Sequence, residues 1–273
     1  MKDVVEAMTR TVGVCTSSRS ERYLMRALVD EMNNGKYDLK ATLVFVPTMD
    51  KIRMLFRGGL DTGDYDIFLV PADRSEMVYM ASRLYHTNKV FCHYLAGSIS
   101  HSNCHDDINR WLITLMSNMV FAESPEAQTN VLKIGYPEDR VIITGTSHFD
   151  GITSYDIEAN KPKDAPEEPF DLMLFNPETQ SSRKWIAAPI CNKYIEIRPN
   201  EDSSEGTGKQ YSHLEFLWLL KHCTNFISNS SATLYEVPWL NERYGAKINV
   251  INSSQRNSVR TKIPTNYLSG ASA

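Results

Sequence analysis

From Thr11 onward the chain alternates short, unbroken apolar runs with longer amphipathic stretches, and this rhythm most restricts what it can fold into. Thr11-Val12-Gly13-Val14-Cys15 reads as a buried strand, ended by the small residues Thr16-Ser17-Ser18. Glu21 to Met32 then places Leu24, Met25, Leu28 and Met32 at helical spacing. Leu39 to Val46, Asp66 to Val70, Val90 to Leu95, Met119 to Ala122 and Val141 to Thr144 read as further strands. Helices are expected around 76–85 and from about Asp106 to Met116. Strands that are apolar throughout must be covered on both faces, so the expected class is α/β with parallel, doubly wound sheets.

The pattern breaks at 160–169, where Asn-Lys-Pro-Lys-Asp-Ala-Pro-Glu-Glu-Pro brings prolines and charge together. This stretch is expected to link an N-terminal domain (1–159) to a smaller C-terminal one (170–273). The second domain repeats the alternation: strands at Asp171–Phe175 and Lys193–Ile197, an apolar helix over Leu214–Cys223, a strand at Phe226, and a last strand at Ala246–Ile251. A chain of 273 residues is long enough for two such cores. In open sheets of this kind, ligands sit beyond the carboxyl ends of the strands, where the strand order reverses.

Several segments fall at such strand ends. Ser228-Asn229-Ser230-Ser231 follows a strand and precedes a helix, so it reads either as an anion site for a diphosphate or as an ordinary helix cap. Glu236 lies about one helical turn further, within reach of a sugar hydroxyl on such a ligand. Arg19 opens the first helix and is placed to grip phosphate, or is simply solvated. Asp73, in Val70-Pro71-Ala72-Asp73-Arg74-Ser75-Glu76, is a catalytic candidate or the cap of a helix with Glu76 three residues on. The Ala96-Gly97-Ser98 turn offers close backbone approach to a ligand. Asp106 and Arg110 stand four apart, which suits a helical ion pair. His93, His101 and His105 fit no standard ligand spacing, and no metal is expected. Ser253 to Arg260 is a basic, polar run, either a loop that closes on phosphate or a solvated one.

The bulk properties exclude some classes. A net charge of -4 and a pI near 6.0 give no global attraction to nucleic acid or anionic membrane. No apolar run approaches a membrane span and the N-terminus lacks a signal-peptide core. Cysteines at 15, 92, 104, 191 and 223 are odd in number and scattered, as in a reducing cytoplasm, or a host cytoplasm for a viral protein.

Taken in order, these segments resemble the UDP-N-acetylglucosamine 2-epimerases, in particular the hydrolysing, sialic-acid-pathway branch. The resemblance runs from about Val12 to Arg260. It is carried by Thr16-Ser17-Ser18-Arg19-Ser20-Glu21, Ala72-Asp73-Arg74-Ser75-Glu76-Met77, Asp106-Asp107-Ile108-Asn109-Arg110 and Gly145-Thr146-Ser147-His148-Phe149-Asp150. Pro199-Asn200-Glu201-Asp202-Ser203, Ser228 to Ala232, Glu236-Val237-Pro238 and Gln255-Arg256 complete it. It implies the GT-B fold: two Rossmann-like domains with a UDP-sugar in the cleft between them, here with a compact, shortened C-terminal domain. It also implies that Arg19, Ser230 and Ser231 hold the diphosphate, Glu236 the ribose, and that Asp73 and Asp106 act on the sugar. Arg256 and Arg260 are further candidates for the UDP, and Ser98, Arg110 and Asn176 for the sugar pocket. The substrate would be the only cofactor-like partner, and a homodimer is expected.

The chain departs from the family at two acid/base positions, where it has Ser98 in place of an acid and Asn176 in place of histidine. Neither hydroxyl nor amide exchanges protons usefully at neutral pH. The groups that let UDP depart are kept, and one carboxylate suffices to deprotonate an acceptor hydroxyl. The expectation is therefore a UDP-sugar-dependent glycosyltransferase, with a hydroxymethylated base of viral DNA as one candidate acceptor. A hydrolysing epimerase and a catalytically idle UDP-sugar-binding module stand as alternatives.

Overall fold

A computed structural model describes residues 9–47, 63–100, 105–167, 169–176, 188–198, 208–252, 257 and 260–268. The chain divides into two compact units: the chain up to Gly97 together with Ile108–His148, and Ser98–Asp107 together with the chain from Phe149 onward.

In the first unit the apolar runs form strands β1 (Arg10–Thr16), β2 (Leu39–Phe45), β3 (Ile67–Pro71), β4 (Phe91–Ala96), β5 (Met119–Ala122) and β6 (Val141–Ile143). They pair in the order β2-β1-β3-β4-β5-β6, all parallel. Helices α1 (Arg19–Met32), α2 (Ser75–His86), α3 (Asp106–Met116) and α4 (Pro125–Lys133) lie between strands. Phe68, Val70, Met77, Met80, Leu84, Phe91 and Ile113 form one buried cluster, and Val12, Val14, Met25, Leu69 and Tyr94 belong to another. Two separate apolar clusters lined by one set of strands are what covering a parallel sheet on both faces requires. The helix α4 is a gain over the sequence reading. Its start signal was present in Ser124-Pro125-Glu126, since the Ser124 hydroxyl accepts from Ala127 N–H and Pro125 occupies the first turn.

The second unit holds α5 (Ser154–Glu158), β7 (Asp171–Leu174), β8 (Tyr194–Ile197), α6 (His213–His222), β9 (Asn225–Ser228), α7 (Glu236–Tyr244) and β10 (Asn249–Asn252). Its sheet is parallel in the order β10-β9-β7-β8. Together the two Rossmann-like units give the α/β class that the chain pattern suggested and the GT-B fold that the resemblance implied.

The division between units differs from the expected one at 160–169. Residues 149–159 belong to the second unit because Phe149 stacks on Trp239 with ring centroids 4.3 Å apart and the Tyr244 hydroxyl donates to Ile152 C=O at 2.9 Å. Lys221 on α6 also reaches Glu158 on α5 at 2.6 Å. Within the proline-rich stretch Pro162 is buried and Tyr211 donates to Asp164 at 2.9 Å, and Phe170 just beyond it is buried. Residues 98–107 join the same unit through Ile99, whose N–H donates to Thr261 Oγ1 and whose C=O accepts from Thr261 N–H, both at 2.8 Å.

Gly97 serves packing, not ligand approach as the sequence suggested. Its φ is +87°, and a Cβ there would lie 2.2 Å from the Ala127 carbonyl oxygen of α4. Gly35 shares the positive φ, at +83°, but a Cβ there would meet nothing. Gly97→Ala is therefore expected to cost clearly more stability than Gly35→Ala, whose penalty should stay near the ~1–2 kcal/mol of a left-handed alanine. Urea unfolding midpoints of the two variants check this ordering.

Candidate functional site

The strand order of the first unit reverses between β1 and β3, so the loops after these strands flank its switch point. After β1, the loop is closed by its own helix. Ser18 caps α1 by accepting from Glu21 N–H at 3.1 Å. The Glu21 carboxylate answers by accepting from Ser17 N–H and Ser17 Oγ, each at 2.8 Å, and from Ser18 N–H at 3.3 Å. These amides are thus already matched by a carboxylate. Burial pushes the Glu21 carboxyl up, against the lowering effect of those bonds and of Arg74. Its other oxygen is buried without a partner among the described residues.

After β3, Ala72 has φ +57°, a left-handed conformation that costs an L-residue with a side chain ~1–2 kcal/mol. Asp73 follows, and the structure decides its role. The N-cap of α2 is Arg74, with no side-chain cap bond, so Asp73 is not the helix cap. Its carboxylate forms an ion pair with Arg110 of α3, a guanidinium whose side chain is only 2% exposed. Asn109 of α3 donates to Asp73 C=O at 2.9 Å. Arg110 thus reaches back 37 residues for its partner. The Asp73 side chain keeps 18% of its surface exposed, so it is still open to a ligand.

His93 on β4 is fully buried below this loop. Its Nε2 lies 2.8 Å from Ala72 C=O and its Nδ1 lies 2.8 Å from Thr114 Oγ1. Burial holds the imidazole down at about 4, so the ring is neutral at pH 7. With both nitrogens engaged, His93 has no lone pair for a metal. Among the described residues no three His, Cys, Asp or Glu side chains are grouped to hold a metal ion.

In the second unit the strand order reverses between β7 and β9, and the loops after them are cross-tied. Asn176 N–H donates to Asn229 Oδ1 at 2.7 Å, and Asn229 Nδ2 returns a bond to Asn176 C=O at 2.8 Å. Ser228 Oγ donates to Leu174 C=O at 2.6 Å while accepting from Ser230 N–H at 2.9 Å. The expected direct passage from strand to helix is interrupted. A 3₁₀ turn, Ser231–Thr233, stands between β9 and α7, and Ser230 is its cap, accepting from Ala232 N–H at 3.3 Å. The turn has too few residues to carry a helix dipole, so any anion affinity rests on local donors: the Ser230 hydroxyl and the Ser231 N–H, which has no acceptor inside the turn. Asn257 stiffens the turn by donating to Ser230 C=O at 2.7 Å and to Thr233 Oγ1 at 3.0 Å.

Glu236 opens α7, and burial raises its carboxyl to about 7. The residue as a whole is half-buried.

The remaining candidates divide as follows. Ser98 and Arg260 are both buried in the second unit, on segments tied together through Ile99 and Thr261. Asp106 is half-buried in the first turn of α3. Asn176 is half-buried beyond β7. Only the backbone of Arg19, in the first turn of α1, is described, while Arg256, His101 and the motif from Pro199 to Ser203 lie outside the described residues. The sequence reading missed His93 and Asn109 as supports for Asp73, and Asn229 as the partner of Asn176. Each pairing spans 21 to 53 residues, which no local spacing rule detects.

A family model described as UDP-N-acetylglucosamine 2-epimerase matches residues 48–203, more than half of the chain. No curated protein sequence matches. Among solved structures, the UDP-GlcNAc 2-epimerase from Neisseria meningitidis bound to UDP-GlcNAc is 15% identical, with a TM-score of 0.64 over 90% of this chain and 89% of that one. The Methanocaldococcus jannaschii enzyme in complex with UDP-GlcNAc and UDP is 13% identical, with a TM-score of 0.61 over 90% of each chain. The S. aureus MnaA–UDP structure is 14% identical, with a TM-score of 0.63 over 95% and 86%. At these identities the likeness establishes the fold.

The raised carboxyl of Glu236 has a pH signature. A folded-state value above the ordinary 4.5 favours the protonated form, so the contribution to stability is complete below pH 4.5 and is lost as pH rises through about 7. Relative to Glu236→Gln, the wild-type protein should therefore lose melting temperature between pH 5 and 7.5 (about the width of the titration). Parallel thermal melts across that range measure it, and identical slopes would disprove it.

Proposed function

Since the chain belongs to the UDP-N-acetylglucosamine 2-epimerase family, we propose that its substrate is a UDP-sugar and that its chemistry starts with loss of UDP from the anomeric carbon. Solved structures of the same fold that hold UDP or UDP-GlcNAc support the substrate class. The diphosphate is assigned to Ser230, Ser231 and Arg19, with Arg256 and Arg260 as further cations. Glu236 is assigned to the ribose. As UDP departs its diphosphate gains charge, and oriented donors and cations lower the barrier for that step.

The observation that carries the chemistry is Asp73, a partly exposed carboxylate at the first unit's switch point, held against a buried guanidinium. The pairing fixes where its open edge points. That is what a general base needs. At the two other acid/base positions of the family the chain carries the hydroxyl of Ser98 and the amide of Asn176. A single base suffices for transfer. Asp73 takes the proton of an acceptor hydroxyl, that oxygen bonds to the anomeric carbon, and the C–O bond to UDP breaks. Glycosyl transfer to a hydroxyl compound is therefore the favoured reading, and a hydroxymethylated base in DNA is one acceptor to try. No metal takes part in this scheme. Among the described residues no helix is long and apolar enough to cross a membrane.

A second reading, hydrolysis with epimerisation at C2, is favoured by the family match, whose span of 48–203 includes Asp73, Asp106 and Arg110. In it Asp106, in the first turn of α3, would supply the second acid/base group.

The two readings separate when the protein is given a panel of UDP-sugars in heavy water, with and without acceptors, and products are followed by mass spectrometry. Transfer releases UDP only with acceptor present. Epimerisation releases UDP and a free sugar bearing deuterium at C2 without any acceptor. In either reading Asp73→Asn is expected to lower turnover by ~10²–10⁴ while UDP binding, read by calorimetry, is retained. Unchanged turnover in that variant would remove Asp73 from the chemistry.

A further inference from the structure

The peptide that carries Asp73 is held in a left-handed conformation by contacts from one neighbouring strand. Ala72 N–H donates to Tyr94 C=O of β4 at 2.8 Å. Ala72 C=O accepts from His93 Nε2, also on β4, at 2.8 Å. Both faces of one residue are therefore clamped by adjacent residues of a central strand, and φ +57° at a non-glycine position persists because of that clamp. His93 does more than fill the core here. A carbonyl can only accept, so Nε2 carries the proton, and Nδ1 is left to accept from the Thr114 hydroxyl. Thr114 lies on α3 one turn beyond Arg110, the residue that grips the Asp73 carboxylate. Asn109 of the same helix holds Asp73 C=O at 2.9 Å. One neutral imidazole thus links the backbone that presents the carboxylate to the helix that supplies its counter-ion.

We propose that His93 is a positioning residue for Asp73: it fixes the left-handed Ala72 peptide through Nε2 and registers that peptide against α3 through Nδ1 and Thr114. The inference rests on the reading of Asp73 as the reacting carboxylate. A base must sit within hydrogen-bond reach of the proton it takes, and a displacement of about 1 Å can cost a hundredfold in rate.

Three variants and one spectrum test it in the intact chain. His93→Leu removes both ring nitrogens. His93→Gln restores an amide N–H able to reach Ala72 C=O. Thr114→Val removes only the hydroxyl that registers the ring. The expected result is a fall in kcat of about tenfold to a hundredfold for His93→Leu with KM for the UDP-sugar nearly unchanged, most of the loss recovered in His93→Gln, and an intermediate loss in Thr114→Val. ¹⁵N NMR of the wild-type imidazole should show a neutral ring protonated at Nε2, a readout that needs no turnover and no stable variant. A cationic ring, or one protonated at Nδ1, overturns the inference. So does wild-type kcat in His93→Leu, or a His93→Gln variant that is folded and as impaired as His93→Leu. Asp73→Asn, assayed alongside, tells the two levels apart. Turnover surviving there sinks the reading of Asp73 and the role of His93 with it, whereas its loss together with normal turnover in His93→Leu sinks the role of His93 alone.

Discussion

Arg110 is a guanidinium taken out of water, and the loop beyond β3 is organised around the need to match it. One carboxylate partner is Asp73, on the loop that follows β3. With that pair made, Asp73 does not cap α2, whose N-cap is Arg74 without a side-chain cap bond. Ala72 must turn left-handed to deliver the carboxylate, and His93, Tyr94 and Asn109 hold the turn in place. A single electrostatic demand therefore sets the helix start, the strained backbone and a partly open carboxylate edge at this switch point.

The second unit solves its switch point with neutral groups. Asn176 and Asn229 satisfy one another, Ser228 bridges to β7, and Asn257 closes the turn at Ser230. Most backbone groups of the corner are therefore used internally, and rigidity rather than spare donors is its main property. A rigid corner with a few aimed donors loses little entropy when an anion binds, which is the advantage of a preorganised site. The same economy appears after β1, where Glu21 occupies the Ser17 and Ser18 amides. Anion binding at that loop would have to come from α1 side chains, since the loop amides are taken.

The element pattern was legible in the sequence because it rests on burial. Runs such as Val12 to Cys15 and Leu172 to Leu174 are apolar on both faces, as central parallel strands require. The helix over Asp106–Met116 was read to the residue. The misreadings share a cause, since each involved a residue with a good local explanation and a better distant one. Asp73 had a capping pattern and took Arg110. Gly97 looked like room for a ligand and is filled by the carbonyl of Ala127. The prolines of 160–169 read as a domain linker, and there Pro162 is buried and Asp164 accepts from Tyr211.

By itself the sequence determined the class of the fold, the positions of its strand ends, and the family to which the segments between 48 and 203 belong. It did so because hydrophobic period and small-residue turns are local properties of the chain. Only the tertiary structure decided which carboxylate faces which cation, that His93 is a neutral strut beneath Ala72, and that Glu236 carries a carboxyl poised near 7. Those outcomes depend on desolvation and on contacts between residues dozens of positions apart. No reading of neighbours along the chain supplies either.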